Sequence, residues 1–380
     1  MSTSPSSLPT STRCLVLTKI PAAGAASDPS NASAAAKLND TSIKERDLPP
    51  LGPADVLVRI VAAAFNHREL WQKKNMYPGI ADGSVMGCDG AGFVIASGQG
   101  AEDVLLHKRV FLSPTRGWKS DPDGPEGRFG TVGGGAYPPI GTITEYVVVE
   151  RDEIIEVPEH LSFEEAAAWP CCGITAWRAL FVKGALKAGQ NVLITGAGGG
   201  VALQCLQLAV AAGANVYVTS GDQAKIDNAV SIGAKGGVIY KNANWPAELG
   251  DLLKTNAESG GAKPLLDLVI DQGGGDICAQ TSKIIKSGGI ISCFGMHGAR
   301  GINFTMREVL KNVELKGSTL GSQQELEEAT RFIAQHQIRP IISEIIEGLD
   351  DTDKAFDLLQ KGTVMGKIVV RISSPEGARL

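Results

Sequence analysis

Residues 191–212 read NVLITGAGGGVALQCLQLAVAA, which is the pattern of a buried strand, a glycine turn and a helix opening at that turn. Val192, Leu193, Ile194 and Thr195 are apolar or β-branched, and Val201, Leu203, Leu206, Leu208 and Val210 follow at spacings that a packed helix tolerates. The best register is Ala197, Gly199 and Ala202, an AxGxxA variant of the GxGxxG fingerprint. Gly198, Gly200 and Val201 complete a cradle of small residues, where phosphates can approach backbone N–H groups at a helix N-terminus. A tight turn before a core helix would explain the glycines alone. It would not explain the second strand, ANVYVTSG at 214–221, which ends where a Rossmann unit holds the adenosine ribose.

At 380 residues the chain is long enough for about two domains. Hydrophobic content of 43%, charge of 20% and a mean hydropathy of +0.03 exclude disorder of the whole chain, and 46 glycines suit turns and close cofactor contacts. A net charge of -5, with dispersed lysines and arginines, leaves no basic footprint for nucleic acid. No apolar run reaches the roughly 18 residues of a membrane span, and the N-terminus lacks a secretory core, so a cytoplasmic protein is expected. Seven scattered cysteines without a CxxC pair argue against a disulfide framework, and make the Asn31 and Asn303 sequons irrelevant. The final Ala378-Arg379-Leu380 matches a small-basic-leucine peroxisomal signal, a three-residue pattern that leaves peroxisomal import open.

Residues 1–11 are Ser/Thr/Pro-rich and expected to be disordered. Residues 21–40 form a low-complexity loop insertion between a short strand (Arg13 to Lys19) and the extended run Asp55 to Ala64. From Val85 to Glu156 short β-like pieces alternate with Gly/Pro punctuation, which predicts a β-rich, barrel-like domain. Leu161 to Phe181 opens with a Ser162/Glu165 capping box and continues as a helical segment interrupted at Pro170. From Asn191 onward strands and helices alternate through about residue 316, predicting a doubly wound parallel sheet. A helix (Gln324 to His336) and a closing strand, GKIVVRI, follow. The expected fold is α/β, with a catalytic domain at 12–167, a dinucleotide domain at 168–316 and a return segment at 317–380. A ligand cleft is expected between the two domains.

VLVRIVAAAFNHREL, GCDGAGFVIASG, GITAWRALF, ITGAGGGVALQ, CFGMHG and GKIVVRI, in that order, resemble the medium-chain dehydrogenase/reductase superfamily, and most of all its quinone-oxidoreductase-like, zinc-independent members. The resemblance runs from about Arg13 to Ile372. It implies a GroES-like catalytic domain, a Rossmann domain and often a homodimer. Zinc alcohol dehydrogenases of the superfamily place metal ligands at three points that match Asn66, Cys88 and Cys172 here. Asn66 is a poor zinc ligand, only Cys172 has the usual type, and Leu112 to Gly141 lacks the cysteines of a structural zinc lobe. No metal is therefore expected, although convergence of Cys88 and Cys172 with Asp89 or His67 stays open. Otherwise the two cysteines are pocket-lining hydrophobes. Without a Lewis acid, a conjugated enone or quinone, which spreads the developing charge, is a better acceptor than a simple ketone.

The second strand ends VTSG, with Ser220 and Gly221 as polar and backbone donors, Lys225 a helical turn beyond and Tyr240 ending the next strand. Similar NADPH-binding reductases use these places for the 2′-phosphate, so NADPH is preferred. Asp222, shifted inward, would favour NADH instead. The resemblance also places Thr175, Phe294 and Gly295 near the nicotinamide, and Gly366 and Lys367 at another cofactor-proximal turn. Asn66 and Tyr77 are the candidate catalytic donors, and Trp71 stands where a relative has a second tyrosine. Arg68 is a candidate for a carbonyl or acidic tail unless Glu69 neutralises it; histidines 107, 160, 297 and 336 lie in sequence segments that offer no acid/base pattern, and no role is assigned to them. The resulting expectation is an NADPH-dependent, zinc-independent oxidoreductase of conjugated carbonyls or quinones. The alternatives are a polyketide-pathway enoyl reductase, a zinc-free alcohol dehydrogenase, and a non-catalytic NADPH-binding protein.

Overall fold

The computed structural model describes residues 8–20, 38–100, 102–260, 264–299 and 301–374. Most of the N-terminal stretch and of the 21–40 insertion, the Asn31 sequon and Ala378-Arg379-Leu380 lie outside them. The chain divides into two compact units, one of residues 1–121, 125–171 and 342–380, the other of residues 122–124 and 172–341.

The first unit is built on the strand Asp55–Phe65, whose sequence DVLVRIVAAAF is apolar almost throughout because both of its faces are covered. It pairs antiparallel with Asp89–Ser97, Tyr146–Glu150 and Lys367–Arg371, and Ile342–Glu347 runs parallel to the last of these. Val56, Val58, Ile60, Phe65, Val94, Val110, Ile143, Phe356 and Val370 share its core. Beside this sheet, Ser11–Thr18 pairs with Asp40–Asp47 and with Ser84–Val85. The strand Asp40–Asp47, DTSIKERD, was not foreseen and begins at the last residue of the expected insertion. Its largely polar residues lie on an edge, so no apolar alternation marks it.

In the second unit the alternation from Asn191 does form a doubly wound parallel sheet. Its strands run in the order Gly236–Ile239, Asn215–Ser220, Asn191–Ile194, Leu266–Asp271, Ile285–Cys293, Glu314–Gly317. The reversal of direction at Asn191–Ile194 is the topological switch point of such sheets, and the glycine turn leaves the chain there.

The segment from Leu161 resolves into helices Phe163–Ala168 and Pro170–Trp177 and a π-helical stretch Arg178–Lys183. The Ser162/Glu165 box is present, with Glu165 N–H donating to Ser162 Oγ (3.2 Å) and Ser162 N–H donating to Glu165 Oε2 (2.8 Å). Pro170 starts the second helix, where its missing N–H costs nothing. The helix Gln323–His336 and the strand Lys367–Arg371 match expectation, whereas Ile342–Glu347 and the helix Asp353–Lys361 were not foreseen. Among the described residues no helix is long and apolar enough to cross a membrane.

Within the second unit Arg178, 1% exposed, pairs with Glu325 and donates to Pro122 O (2.6 Å). Breaking such a pair leaves a buried charge uncompensated. Arg178→Ala is expected to cost about 3–5 kcal/mol in a denaturant titration. Lys254→Ala, from the exposed pair with Asp251, should cost under about 1 kcal/mol.

Candidate active site

Sheet register assembles the central cluster. Ala64 stands opposite Asp89 on one side of the strand Asp55–Phe65, and Phe65 stands opposite Ile368 on the other. Asn66, Asp89 and Lys367 therefore meet at one end of three neighbouring strands, about 4.8 Å apart. Lys367 Nζ lies 3.0 Å from Asp89 Oδ2 and also donates to Asn66 Oδ1. Asn66 Nδ2 donates to Asp89 Oδ2 (2.9 Å) and to Cys88 Sγ (3.4 Å). Cys171 N–H donates to Asp89 Oδ1 (2.8 Å). The donor-only ammonium and the acceptor-only carboxylate fix which way the Asn66 amide points. Both amide hydrogens thus have acceptors within the protein, which bears on the expectation that Asn66 donates to a substrate oxygen. Lys367 is only 3% exposed and Asp89 fully buried, so this lysine is a core cation rather than surface charge.

A second layer holds Asn66 from behind. Glu69, fully buried, accepts from Asn66 N–H (2.7 Å) and from Arg68 (2.8 Å), and burial pushes its carboxyl above the usual range against the pull of Arg68. Arg68 also donates to Val132 O (2.8 Å) and Gly133 O (2.7 Å), which commits its guanidinium to the fold. The Tyr77 ring stacks 5.2 Å from that guanidinium. Burial raises the phenol's pKa and Arg68 partly opposes it, leaving Tyr77 a protonated donor at neutral pH. Trp71 lies in the helix His67–Lys73, its ring facing Lys74 Nζ at 5.5 Å.

Cys171, not Cys172, is the thiol that converges with Cys88 and Asp89; the three ligand atoms lie within 4.8 Å of one another. Cys172 belongs to the other unit, where burial first and Cys172 second push the Cys205 thiol up. Adjacent helical residues point about 100° apart, so the convergence expected of Cys172 falls to Cys171. As arranged, the donor set does not suit zinc: Asn66 turns N–H groups towards Cys88 and Asp89, and both Asp89 oxygens already accept hydrogen bonds.

In the second unit, Gly199 caps the twelve-residue helix Gly200–Ala211, which places the N–H groups of Gly200, Val201 and Ala202 at a helix N-terminus. Gly198 has φ +141°, and a methyl there would stand 2.9 Å from Lys225 Cδ and 3.3 Å from its Nζ. The expected cation therefore lies over the turn that begins at Ala197. A methyl on Gly221 would stand 2.9 Å from Tyr240 Oη and 3.0 Å from Lys241 Cε. Asp222 accepts from Ala224 N–H (2.9 Å) as the cap of the next helix. The Ser220 hydroxyl is buried, donating to Ala197 O (3.3 Å) and accepting from Asp222 N–H (3.3 Å), so it braces the loop. Gln272, which carried no sequence signal, donates to Thr195 O (3.2 Å) and Gly196 O (3.1 Å) and steadies the turn. Thr175 is nearly buried in the helix Pro170–Trp177. Phe294 N–H bonds Asp271 O (3.0 Å), with Gly295 next in the loop. In the first unit Gly366, with φ +113°, turns the chain into Lys367.

Two family profiles match the chain. One, described as the alcohol dehydrogenase GroES-like domain, covers residues 52–159, and the other, described as zinc-binding dehydrogenase, covers residues 200–335. The chain is 43% identical over 336 residues to the zinc-type alcohol dehydrogenase-like protein YogA of Leptosphaeria maculans, covering 85% of this chain and 92% of that protein. It is 27% identical over 367 residues to a crotonyl-CoA reductase of Streptomyces avermitilis, covering 86% and 81%. A solved structure of an NAD-dependent alcohol dehydrogenase superposes with a TM-score of 0.77 at 28% identity, covering 95% of this chain and all of that one.

The Asp89–Lys367 pair gives the cluster a stability signature. Asp89→Asn strands a buried ammonium and is expected to cost about 3–5 kcal/mol in chemical denaturation.

Proposed function

The chain belongs to the medium-chain dehydrogenase/reductase superfamily, a family of oxidoreductases, and on that premise we propose that it is an NADPH-dependent, zinc-independent reductase of conjugated carbonyls or quinones. The observation that carries this reading is the Asn66–Asp89–Lys367 cluster, in which a buried ammonium bonds Asn66, the residue at one matched ligand position, and Asp89 beside it. A single fixed cation suits an acceptor whose developing charge is delocalised, whereas a simple ketone gains more from a Lewis acid. Similarity to a crotonyl-CoA reductase favours an α,β-unsaturated acyl group within this class.

The residues fit the cofactor. Ala197 to Ala202 would receive the pyrophosphate on backbone N–H groups, Thr175, Phe294 and Gly295 would line the nicotinamide, and Lys225, Tyr240 and Gly221 would receive the 2′-phosphate. NADH is the competing cofactor, and the one carboxylate that would select it, Asp222, caps a helix instead. When bound, NADPH supplies the hydride for the acceptor's β-carbon or the quinone. The protein's part is to hold, polarise and protonate. Tyr77 supplies the proton as a phenol held on Arg68, while Asn66 orients the Lys367 ammonium.

Two variants test the reading. Lys225→Ala removes a charged phosphate contact, so its Kd for NADPH should rise about 10- to 100-fold while NADH binding changes little. Equal loss for both cofactors would contradict the NADPH assignment. Tyr77→Phe should lower kcat on an enone at least about 100-fold. Because the acid must be protonated and its pKa is raised, wild-type kcat should show no Tyr77-dependent fall until the pH exceeds about 10, and Tyr77→Phe should lack that alkaline limb.

A further inference from the structure

Cys88, Asp89 and Cys171 have the closeness of a metal site, but the groups around them have the opposite polarity. Asn66 directs N–H groups at Cys88 Sγ and Asp89 Oδ2, so the positive ends of two dipoles stand where a cation would approach these donors. Asp89 accepts on Oδ1 from Cys171 N–H and on Oδ2 from both Asn66 and Lys367. Lys367, itself buried, already brings a full positive charge to this carboxylate. With Arg68 against Glu69 and Lys367 against Asp89, the charged groups balance without any further ion.

We infer that Lys367 is the resident cation of this cluster: its ammonium, held by Asn66 Oδ1 and Asp89 Oδ2, takes the place of a zinc ion and excludes one by occupancy. Lysine suits the task because its ammonium is a compact charge with three rotatable donors, which a carboxylate and an amide oxygen can share. Asn66, a poor metal ligand, is also the residue that supplies the amide oxygen for the ammonium. The electrostatic part of the inference, that this charge steadies an anionic oxygen during reduction, rests on the proposed reductase reading; the exclusion of metal does not.

The test counts metal and measures rate. Metal-stripped full-length protein is incubated with zinc or cobalt(II), freed of loose ions by gel filtration, and assayed by elemental mass spectrometry and by thiolate-to-cobalt absorption. Wild type is expected to retain neither metal, and stoichiometric zinc on it overturns the inference without any variant. Asn66→Cys, which restores a thiol but keeps Lys367, should bind cobalt at least about tenfold more weakly than Asn66→Cys combined with Lys367→Met, a difference of about 1.4 kcal/mol. Equal affinities would show that the ammonium is no obstacle and would also overturn it. In turnover, Lys367→Met should lose about 100-fold in kcat, with much of the rate recovered in Lys367→Arg. Absence of turnover with every acceptor, wild type included, sinks the reductase reading and leaves the metal count to decide this inference alone.

Discussion

The buried carboxylate of Asp89 is the interaction on which the first unit's functional end depends. A charge with no solvent exposure is tolerated only when hydrogen bonds and a counter-charge replace water. Asp89 obtains them from three separate places in the chain: the amide of Asn66, the backbone of Cys171 and the ammonium of Lys367. The sheet makes this possible, because Asp55–Phe65 lies between the strands that deliver Asp89 and Lys367. The return of the chain to the first unit at Ile342 is thus more than a topological detour, since it carries the cation that the carboxylate requires.

The second unit solves a different problem with backbone instead of charge. Its parallel strands present a helix N-terminus at the turn, and the glycines keep side chains out of the space that phosphates would use. Gln272 holds the turn's carbonyls and Ser220 ties its floor, while Lys225, Tyr240 and Lys241 gather at its rim. Asp222 has a local structural duty as a helix cap, its Oδ1 accepting from Ala224 N–H.

Local signals in the sequence were legible where structure is locally determined. The glycine turn, the strand and helix alternation from Asn191, and the Ser162/Glu165 box all depend on residues a few positions apart. Features fixed by distant partners were not. Asp40–Asp47 is an edge strand without apolar alternation, and its place is set by Ser11–Thr18. The convergence of Cys171 rather than Cys172 depends on helical phase after Pro170, which a motif match does not resolve. Lys367 looked like a surface or cofactor-side lysine because its partners, Asn66 and Asp89, are far away in sequence. Lys241 and Gln272 carried no pattern at all and became visible only through their closeness to the glycines.

The proposed activity is reduction of a conjugated acceptor by NADPH without a metal. It is tested most directly by following NADPH oxidation by metal-stripped protein across enones, enals, α,β-unsaturated acyl thioesters, quinones and simple ketones, with and without added zinc. The account predicts oxidation with conjugated acceptors that zinc does not improve, and none with simple ketones. Activity confined to simple ketones and dependent on zinc would contradict it.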